Sequence, residues 1–371
     1  MYHSNTIVKD KLRSLSRILV TGGAGFIGSS LISRLLKDTN AEIYNLDKLG
    51  YASDLSLIDN TLIDLKNSDT VRYQLLNYDL IDLDQTKRAL EISKPDLILH
   101  LAAESHVDRS IDNPINFINN NIIGTFNLLQ ASKLYFDDLN IDKRRSFRFH
   151  HISTDEVFGS LDNKGKFDEN TPYDPRSPYS ASKASSDHLV KTWYHTYNLP
   201  VVISNCSNNF GPWQFPEKLI PIVVLNALQG NSIPLYGNGT NVRDWLFVED
   251  HIDALILVAT IGKIGNNYCI GGQGEYSNEK LVRLICSYLD SYRPTSFPYS
   301  NLINYVKDRP GHDQRYAIDS SKIMNELGWR PSNVFHKALE FTIEWYANNL
   351  EWCENILNKS NSSSERIGLG S

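Results

Sequence analysis

The sequence is poor in cysteine. Its four cysteines are scattered over 371 residues, and no two of them form a C-x-x-C pair. Without such pairs, neither a disulfide framework nor a structural metal site is expected. We therefore interpret them as reduced core thiols of a cytoplasmic protein that binds no metal: Cys206, Cys269, Cys286 and Cys353.

Long apolar runs and an export signal are also lacking. The longest apolar stretch, Leu219 to Leu228, is interrupted by Pro221 and Asn226, so we expect no membrane span. Residues 1–16 carry charges but no apolar segment of the kind that directs secretion.

Positive charge is not in excess. The formal net charge is -6, which argues against nucleic acid as a partner. An anionic ligand would therefore have to be held by local lysines and arginines.

A glycine-rich turn follows the first apolar run, Arg17 to Thr21, and leads into a helical pattern. Gly23, Gly25 and Gly28 fit the G-x-G-x-x-G spacing of dinucleotide-binding turns. In such a turn the glycines let the backbone approach a pyrophosphate, and the positive end of the following helix faces it. The spacing alone is weak evidence, but this strand and helix context predicts a dinucleotide site.

Asp47 ends a second strand-like run, Glu42 to Leu46, and lies nineteen residues after Gly28. A carboxylate at this place accepts hydrogen bonds from the adenosine ribose and repels a 2′-phosphate, so we expect NAD rather than NADP. The alternative is that Asp47 merely ends the strand.

Strand-like and helix-like segments alternate as far as Ser204. Leu97 to Leu101 is a continuous apolar run, typical of a strand buried on both faces of a sheet. It opens into the small and polar residues Ala102 to Arg109. This alternation predicts a doubly wound parallel α/β sheet with its ligands at the carboxyl edge.

Groups suited to acid–base chemistry follow the strand-like run Arg148 to Ser153. Thr154, Asp155 and Glu156 place a hydroxyl and two carboxyls where a strand that simply ends would need none of them. The three are therefore candidate catalytic residues.

Tyr179 and Lys183 stand four residues apart in a helical segment, Pro178 to Tyr197, and so share one face. A tyrosine ionises near pH ~10, and a neighbouring cation favours its charged form, so we expect a lowered phenol pKa. Such a pair can take a proton from an alcohol beside a nicotinamide. By itself the spacing is more often an ordinary amphipathic helix pair; the upstream carboxyls and the glycine turn favour catalysis.

The composition changes after about Asn205 to proline-rich connections, which predicts a smaller mixed α/β lobe that covers a ligand. Lys218, Arg243 and Arg309 are candidates for holding a diphosphate. Each of them alone could equally be a solvated surface charge, and His106 and His312 are undecided.

A chain of 371 residues is long for one lobe, which favours two closely joined lobes. We predict a dinucleotide-binding domain over residues 16–204 and a substrate lobe over residues 205–355, partly interleaved with the first. Residues 1–15 are expected to form a flexible tail, and the low-complexity residues 356–371 a disordered one.

Together the motifs resemble those of the dTDP-glucose 4,6-dehydratases, in the extended short-chain dehydrogenase/reductase superfamily. The resemblance covers about Arg17 to Asn349 and includes T-G-G-A-G-F-I-G, L-A-A-E-S-H-V-D-R-S-I, S-T-D-E-V-F-G, Y-S-A-S-K, P-E-K-L-I-P and D-R-P-G-H-D in the family's order. It implies a Rossmann fold, NAD as cofactor, a nucleotide-diphosphate hexose as substrate and a homodimer.

The resemblance also implies which residues form the site. Those that would contact NAD are Gly22, Gly25, Phe26, Ile27, Gly28, Asp47, Lys48, Leu49, Gly50, Asp79, Leu80, Leu101, Ala102, Ala103, Ser105, Asn120, Tyr179, Lys183 and Asn209. Those that would hold the sugar nucleotide are Ser105, His106, Thr154, Asn208, Lys218, Leu219, Pro221, Tyr236, Arg243, Asn278, Arg309 and His312.

The implied reaction converts a hexose nucleotide to its 4-keto-6-deoxy form. Tyr179 would take the 4-hydroxyl proton while NAD+ takes the C4 hydride, and Glu156 would then abstract the C5 proton. A protonated Asp155 would donate to the departing 6-hydroxyl, and NADH would return its hydride to C6. Different burial of the two carboxyls is expected to push their pKa values apart.

Three positions depart from the family pattern. Phe158 and Phe210 stand where tyrosine is commoner, and Trp213 follows Gly-Pro where tyrosine or arginine is usual. Trp213 leaves the identity of the sugar nucleotide undecided, so a UDP-glucose 4,6-dehydratase is one alternative. A nucleotide-sugar 4-epimerase is a second, against which the carboxyl pair argues, and a non-catalytic dinucleotide-sensing regulator is a third.

Overall fold

A seven-stranded parallel sheet forms the centre of the computed structural model, which describes residues 12–13, 15–65, 72–332 and 334–359. The strand order is β10-β6-β5-β4-β1-β2-β3, so the connections reverse direction between β1 and β4. A crevice at the carboxyl ends therefore opens at this reversal. The strands are β1 (Arg17–Thr21), β2 (Glu42–Leu46), β3 (Tyr73–Leu76), β4 (Leu97–His100), β5 (Arg148–Thr154), β6 (Val201–Cys206) and β10 (Asn267–Ile270).

Helices cover both faces of this sheet, because its central strands are apolar on both sides. All four residues of β4 and all six of β6 are buried, and a separate hydrophobic cluster lies on each face. The helices of this half are α1 (Phe26–Asp38), α2 (Ser56–Asp64), α3 (Leu83–Ser93), α4 (Val107–Asp112), α5 (Pro114–Phe117), α6 (Gly124–Asp138), α7 (Ile141–Ser146) and α8 (Pro178–Tyr197), with a π-helical turn over Ile118–Ile123.

The long helix α8 has strong local start and stop signals. Ser177 and Ser180 form a capping box, and Pro178 occupies the first turn. The helix ends at Tyr197, and the next residue, Asn198, has a left-handed φ of 56°. Its bounds agree with those predicted from the sequence.

The smaller lobe combines short sheets with helices. Its strands pair as β11-β9-β7 and β12-β8. They are β7 (Asn208–Phe210), β8 (Ile233–Tyr236), β9 (Val242–Phe247), β11 (Glu275–Ser277) and β12 (Ile303–Val306). The helices of this half of the chain are α9 (Leu219–Gln229), α10 (Val248–Ile261), α11 (Asn278–Tyr292), α12 (Ser321–Leu327), α13 (Phe335–Asn348) and α14 (Leu350–Lys359). Of these, α10 packs on β5 and β6 of the seven-stranded sheet, and α12 packs on β10.

The predicted segment boundaries need three corrections. Residue 204, the predicted domain boundary, lies inside β6, which runs to Cys206. β10, from the second half of the chain, completes the first sheet, so the two lobes interleave. The disordered tail was predicted to start at 356, but α14 runs to Lys359 because Cys353 and Ile356 are buried against the core. Leu12, placed in the flexible N-terminal tail, is likewise buried in the core. The rest of both predicted tails lies almost entirely outside the described residues.

Over the same described ranges, no helix is both long and apolar enough to cross a membrane.

Candidate active site

A cavity of about 370 Å³ opens at the carboxyl edge of the sheet, where the crevice was expected. The glycine turn, the ends of β2, β4 and β5, and the start of α8 all contribute to its walls. The sequence-predicted residues that line it are Gly22, Gly25, Phe26, Ile27, Gly28, Asp47, Lys48, Gly50, Asp79, Leu80, Leu101, Ala102, Ala103, Ser105, Asn120, Thr154, Asp155, Glu156, Tyr179, Lys183, Asn208, Asn209 and Lys218.

The glycine turn is tight enough to require glycine at two positions. Gly22 has φ +70°, and a Cβ there would lie 2.7 Å from the backbone of Ala102. A Cβ on Gly28 would lie 2.2 Å from the carbonyl oxygen of Gly22. The first turn of α1 therefore packs directly on the loop, and Phe26 and Ile27 from that turn line the cavity.

The carboxylate of Asp47 joins this turn to the loop after β2. Its Oδ2 accepts a hydrogen bond from the amide of Ala24 at 2.9 Å, and its Oδ1 accepts from the amide of Leu49 at 2.8 Å and the hydroxyl of Ser53 at 3.1 Å. Asp47 thus fixes the loop as well as lining the cavity. The side chain of Leu49 is exposed and does not contribute to the lining.

Charged side chains line the cavity beyond Asp47. Lys48 Nζ donates to the side-chain oxygen of Asn120 and lies 3.9 Å from carboxylate oxygens of Asp79 and Glu104. Burial raises the pKa of Glu104, and the charge of Lys48 opposes that shift.

Thr154, Asp155 and Glu156 turn into the cavity where β5 passes into a short 3₁₀ helix. Thr154 Oγ1 donates to Asp155 Oδ1 at 3.2 Å and accepts from the amide of Glu156 at 3.2 Å. Asp155 is 1% exposed, and its Oδ2 has no hydrogen-bond partner among the described residues. The hydroxyl thus holds the carboxyl group of Asp155 and the backbone of Glu156 in place.

The two carboxyl groups differ in their electrostatic surroundings. Burial, followed by the charge of Glu156, raises the pKa of Asp155 well above its ordinary value. Burial also raises the pKa of Glu156, but Arg309 and Arg243 oppose that shift. The nearby arginines therefore favour the charged form of Glu156, whereas burial and the charge of Glu156 both favour the protonated form of Asp155.

Tyr179 and Lys183 are both buried on α8 and line the cavity. Lys183 Nζ donates to the carbonyl oxygen of Ile152 at 2.9 Å. The predicted lowering of the Tyr179 pKa is wrong for this structure: burial, and then the charge of Glu156, raises that pKa well above its ordinary value. The helix spacing indicated a shared face, but it contained no information about burial.

A second cluster of predicted residues lies outside the cavity lining. Arg243 is buried, donates to the carbonyl oxygen of Asp313 at 3.0 Å and packs over the ring of Tyr316 at 4.1 Å. Arg309 donates to Asp108 at 3.2 Å. The surface-charge alternative is therefore wrong for both arginines. Predicted residues outside the lining are Leu49, His106, Leu219, Pro221, Tyr236, Arg243, Asn278, Arg309 and His312.

The two undecided histidines are uncharged near neutral pH. Burial, aided by Lys218 and Arg109, lowers the pKa of His106 to about 2. Burial, aided by Arg309 and Arg243, lowers that of His312 to about 4. They can therefore accept or donate hydrogen bonds, but the positive charge in this region comes from arginine and lysine.

Comparisons with known proteins agree with this geometry. Residues 19–342 match the family model described as GDP-mannose 4,6 dehydratase. A protein of Shigella flexneri named dTDP-glucose 4,6-dehydratase is 51% identical over 92% of this chain and 95% of its own. The chain belongs to the dTDP-glucose 4,6-dehydratase family.

Other members of the family extend the match. A dTDP-glucose 4,6-dehydratase of Neisseria meningitidis serogroup B is 48% identical and covers 96% of this chain and 100% of its own. The crystal structure of a Streptomyces venezuelae dTDP-glucose 4,6-dehydratase with NAD bound has a TM-score of 0.82 and 40% identity, over 92% of this chain and 99% of that one.

Sequence reasoning missed a group of residues that joins the two sides of the cavity. Tyr51 OH donates to Glu217 Oε1 at 3.0 Å, and Arg109 donates to Glu217 Oε2 at 3.2 Å. The guanidinium of Arg109 also lies 3.9 Å from the centre of the Tyr51 ring. The one available signal was the P-E-K motif, in which Glu217 precedes the predicted ligand residue Lys218.

Within the described ranges, no group of three or more His, Cys, Asp or Glu side chains is placed to hold a metal ion.

Proposed function

We propose that the protein is an NAD-dependent dTDP-glucose 4,6-dehydratase, which removes water from the sugar nucleotide to give the 4-keto-6-deoxy product. The observation that carries the proposal is the carboxyl pair Asp155 and Glu156 in one cavity with Tyr179 and Lys183. An oxidation and reduction at one carbon needs the tyrosine and lysine alone, whereas elimination needs an acid and a base as well.

The cavity has the features that NAD requires. Gly22 and Gly28 let the loop pack closely against Ala102 and the first turn of α1. The N-terminus of α1 offers its positive end to a pyrophosphate there. Asp47 supplies a carboxylate for the adenosine ribose. When bound, NAD+ accepts a hydride from the sugar and later returns it. The residues that would hold NAD are those cavity-lining residues that the sequence predicts to contact it.

Tyr179 serves as the base for the sugar 4-hydroxyl. Its pKa is raised by burial, so removal of its proton depends on positive charge nearby. Lys183 supplies such a charge from the same face of the helix, where its hydrogen bond to the carbonyl oxygen of Ile152 fixes it.

The carboxyl pair divides the elimination between its two members. Glu156, whose charged form is favoured by Arg309 and Arg243, takes the proton from C5. Asp155, kept protonated by burial, donates its proton to the 6-hydroxyl as it leaves. Thr154 holds the carboxyl group of Asp155 and the backbone of Glu156, and it orients the sugar.

The nucleotide diphosphate would lie between the cavity and the arginine cluster. Arg243 and Arg309 lie close enough to influence the pKa of Glu156, so a sugar at Glu156 would place its diphosphate within reach of them. Asn278 is buried, and its side-chain oxygen has no hydrogen-bond partner among the described residues, so it is suited to contact the nucleobase or the ribose. The remaining substrate contacts proposed are Ser105, His106, Asn208, Lys218, Leu219, Pro221, Tyr236 and His312.

Product analysis tests the proposal. The protein is incubated in heavy water with dTDP-glucose deuterated at C4, and in parallel with UDP-glucose carrying the same label. We expect loss of one water from the dTDP sugar, transfer of the C4 deuteron to C6 of the same molecule, and solvent deuterium at C5. Return of the label to C4 with inversion would identify an epimerase. Turnover of the UDP sugar alone would show that UDP-glucose, and not dTDP-glucose, is the substrate.

A variant tests the role of Tyr179. Tyr179→Phe should abolish the oxidation but retain binding of the sugar nucleotide.

We also propose a homodimer and a cytoplasmic location. The segment from α4 to α6 exposes several large apolar side chains, among them Ile111, Ile115, Ile118 and Phe126, which a second copy could cover. The four buried free cysteines suit a reducing compartment. Light scattering that gives the mass of one chain would refute the dimer, and Ile115→Asp should dissociate it.

A further inference from the structure

Asp187 is a buried acid on helix α8 that the mechanism above does not use. It lies four residues after Lys183 and eight after Tyr179, and it is completely buried. A carboxylate in such a place is costly unless it is hydrogen-bonded and faces a positive charge.

Four donors from three parts of the chain surround this carboxylate. On one oxygen it takes a hydrogen bond from His151 Nε2 at 3.0 Å. On the other it accepts from Ser153 Oγ at 2.9 Å, Tyr173 OH at 2.8 Å and Asn205 Nδ2 at 3.2 Å. The carboxylate therefore ties α8 to β5, to β6 and to the loop that precedes the helix.

The donors also lead directly to the catalytic groups. Asn205 Nδ2 donates a second hydrogen bond to the carbonyl oxygen of Thr154 at 3.2 Å. Ser153 follows Ile152, whose carbonyl oxygen receives the hydrogen bond of Lys183. The Asp187 network thus holds the end of β5, which carries the acid–base residues, against the helix that carries the tyrosine and lysine.

The charges around Asp187 identify its partner. Burial raises the pKa of the Asp187 carboxyl. Hydrogen bonds from His151 and Ser153, together with the positive charge of Lys183, outweigh burial and hold that pKa below its ordinary value. The carboxyl group is therefore ionised. Burial lowers the pKa of Lys183, and the negative charge of Asp187 opposes this shift more strongly than Cys206 does.

The other titratable groups nearby are neutral near pH 7. Burial lowers the pKa of His151 to about 4 and lowers that of His100 further. Burial raises the pKa of Cys206 to about 12 and also raises the pKa values of Cys269 and Tyr173. Of this set, Asp187 and Lys183 alone are charged.

We infer that Asp187 is a positioning residue for the proposed reaction: its buried carboxylate supplies the counter-charge of Lys183 and fixes helix α8 to the end of β5. The inference rests on the proposed function, in which Lys183 must be charged to assist Tyr179. Asp187 itself touches neither substrate nor cofactor in this assignment.

Two variants separate the charge of Asp187 from its hydrogen bonds. In Asp187→Asn the amide oxygen can still accept from Ser153, Tyr173 and Asn205. His151 Nδ1 has no hydrogen-bond partner among the described residues, so the ring can move its proton there and accept from the new amide at Nε2. This variant therefore removes mainly the charge. Tyr173→Phe removes one hydrogen bond and keeps the charge.

The catalytic readout is the pH profile of kcat with dTDP-glucose. In Asp187→Asn, Lys183 should lose its proton at lower pH, so the alkaline limb should move down by about one pH unit, with a fall of about tenfold in kcat on that limb. KM should change less than about twofold, because the substrate contacts are untouched. The profile of Tyr173→Phe should coincide with that of the unmodified protein. An unshifted alkaline limb in Asp187→Asn, or an equal shift in both variants, would overturn the inference.

A second readout does not depend on the reaction. Because the pKa of Lys183 is lowered in the folded state, the unfolded chain binds more protons in the window between the two pKa values, and stability rises with pH there. Asp187→Asn should extend this rise towards neutral pH in unfolding curves, and Tyr173→Phe should not. If the unmodified protein fails to dehydrate dTDP-glucose, the proposed function fails, while this measurement still decides whether Asp187 supports the charge of Lys183.

Discussion

The indole nitrogen of Trp352 donates a hydrogen bond to the carboxylate of Asp54 at 3.0 Å, across 298 positions of sequence. Asp54 in turn donates its amide to the carbonyl oxygen of Ala24 in the glycine turn at 2.8 Å. Trp352 packs against Trp213 and Trp345, with ring centres 5.4 and 5.2 Å away. Helix α14 is therefore fastened to the loop that closes the cofactor side of the cavity.

The first prediction concerns the hydrogen bond between Trp352 and Asp54. Trp352→Phe keeps an aromatic ring but leaves Asp54 without its indole donor, so stability should fall by about 1 kcal/mol. Bound NAD should also dissociate a few-fold faster, measured by its release during rapid gel filtration. Trp193→Phe is the matched control, because Trp193 Nε1 has no hydrogen-bond partner among the described residues. Equal losses in both variants would mean that the ring contacts, and not the hydrogen bond, hold the helix.

The second prediction separates the two carboxyls. Glu156→Gln should permit oxidation at C4 but block removal of the C5 proton, so bound NADH should accumulate and be visible by its near-ultraviolet absorbance. Asp155→Asn should slow departure of the 6-hydroxyl by about 10²-fold or more, because an amide is a poor proton donor. If Glu156→Gln instead releases deoxy product at the normal rate, another group must be the C5 base.

The third prediction concerns stability and Asp244. Burial raises its pKa to about 6, and its Oδ2 has no hydrogen-bond partner among the described residues. Because the folded pKa lies above the unfolded value, this group favours folding at low pH and loses that contribution as pH rises to about 6. Asp244→Asn should therefore raise the free energy of unfolding at pH ~7 by about 1–3 kcal/mol and have little effect near pH ~4.

Asp319 provides the control for that measurement. Hydrogen bonds from the hydroxyl and amide of Ser321 lower its pKa, so Asp319→Asn should not stabilise the protein at neutral pH. Stability curves of Asp244→Asn and the unmodified protein that run parallel from pH ~4 to ~7 would contradict the prediction.

The fourth prediction compares two glycines of the same turn. A Cβ at Gly28 would lie 2.2 Å from the carbonyl oxygen of Gly22, whereas one at Gly25 would lie 3.3 Å from it. Gly28→Ala should therefore displace α1 from the turn, lower the unfolding temperature and abolish binding of NAD. Gly25→Ala should keep an unfolding temperature close to that of the unmodified protein. Similar thermal stability of both variants would show that the turn can move to admit a side chain at Gly28.

Much of the fold could be predicted because its signals are local. The strand bounds of β1 and β2 and the helix bounds of α8 follow from apolar runs, capping residues and proline within the segments themselves. The glycine spacing and the Thr154 to Glu156 triplet could be identified for the same reason. Dinucleotide binding and acid–base chemistry each depend on residues that are neighbours in sequence.

What could not be predicted depends on contacts between distant segments. Tyr51 and Glu217 are 166 positions apart, and neither belongs to a pattern that points to the other. The raised pKa of Tyr179 comes from burial, which helix spacing does not reveal. The end of α14 was misjudged because a low-complexity sequence follows it, while Cys353 and Ile356 have their partners elsewhere in the core.

The late arrival of β10 in the sequence has a consequence for biosynthesis. While residues 1–204 leave the ribosome, the outer edge of β6 has no neighbouring strand, because the strand that pairs with it begins only at Asn267. An uncovered edge of a strand whose residues are all buried in the folded protein readily pairs with other chains. A fragment that ends at residue 204, the apparent domain boundary, should therefore aggregate. During synthesis, more than sixty further residues must be added after β6 before β10 can pair with its edge.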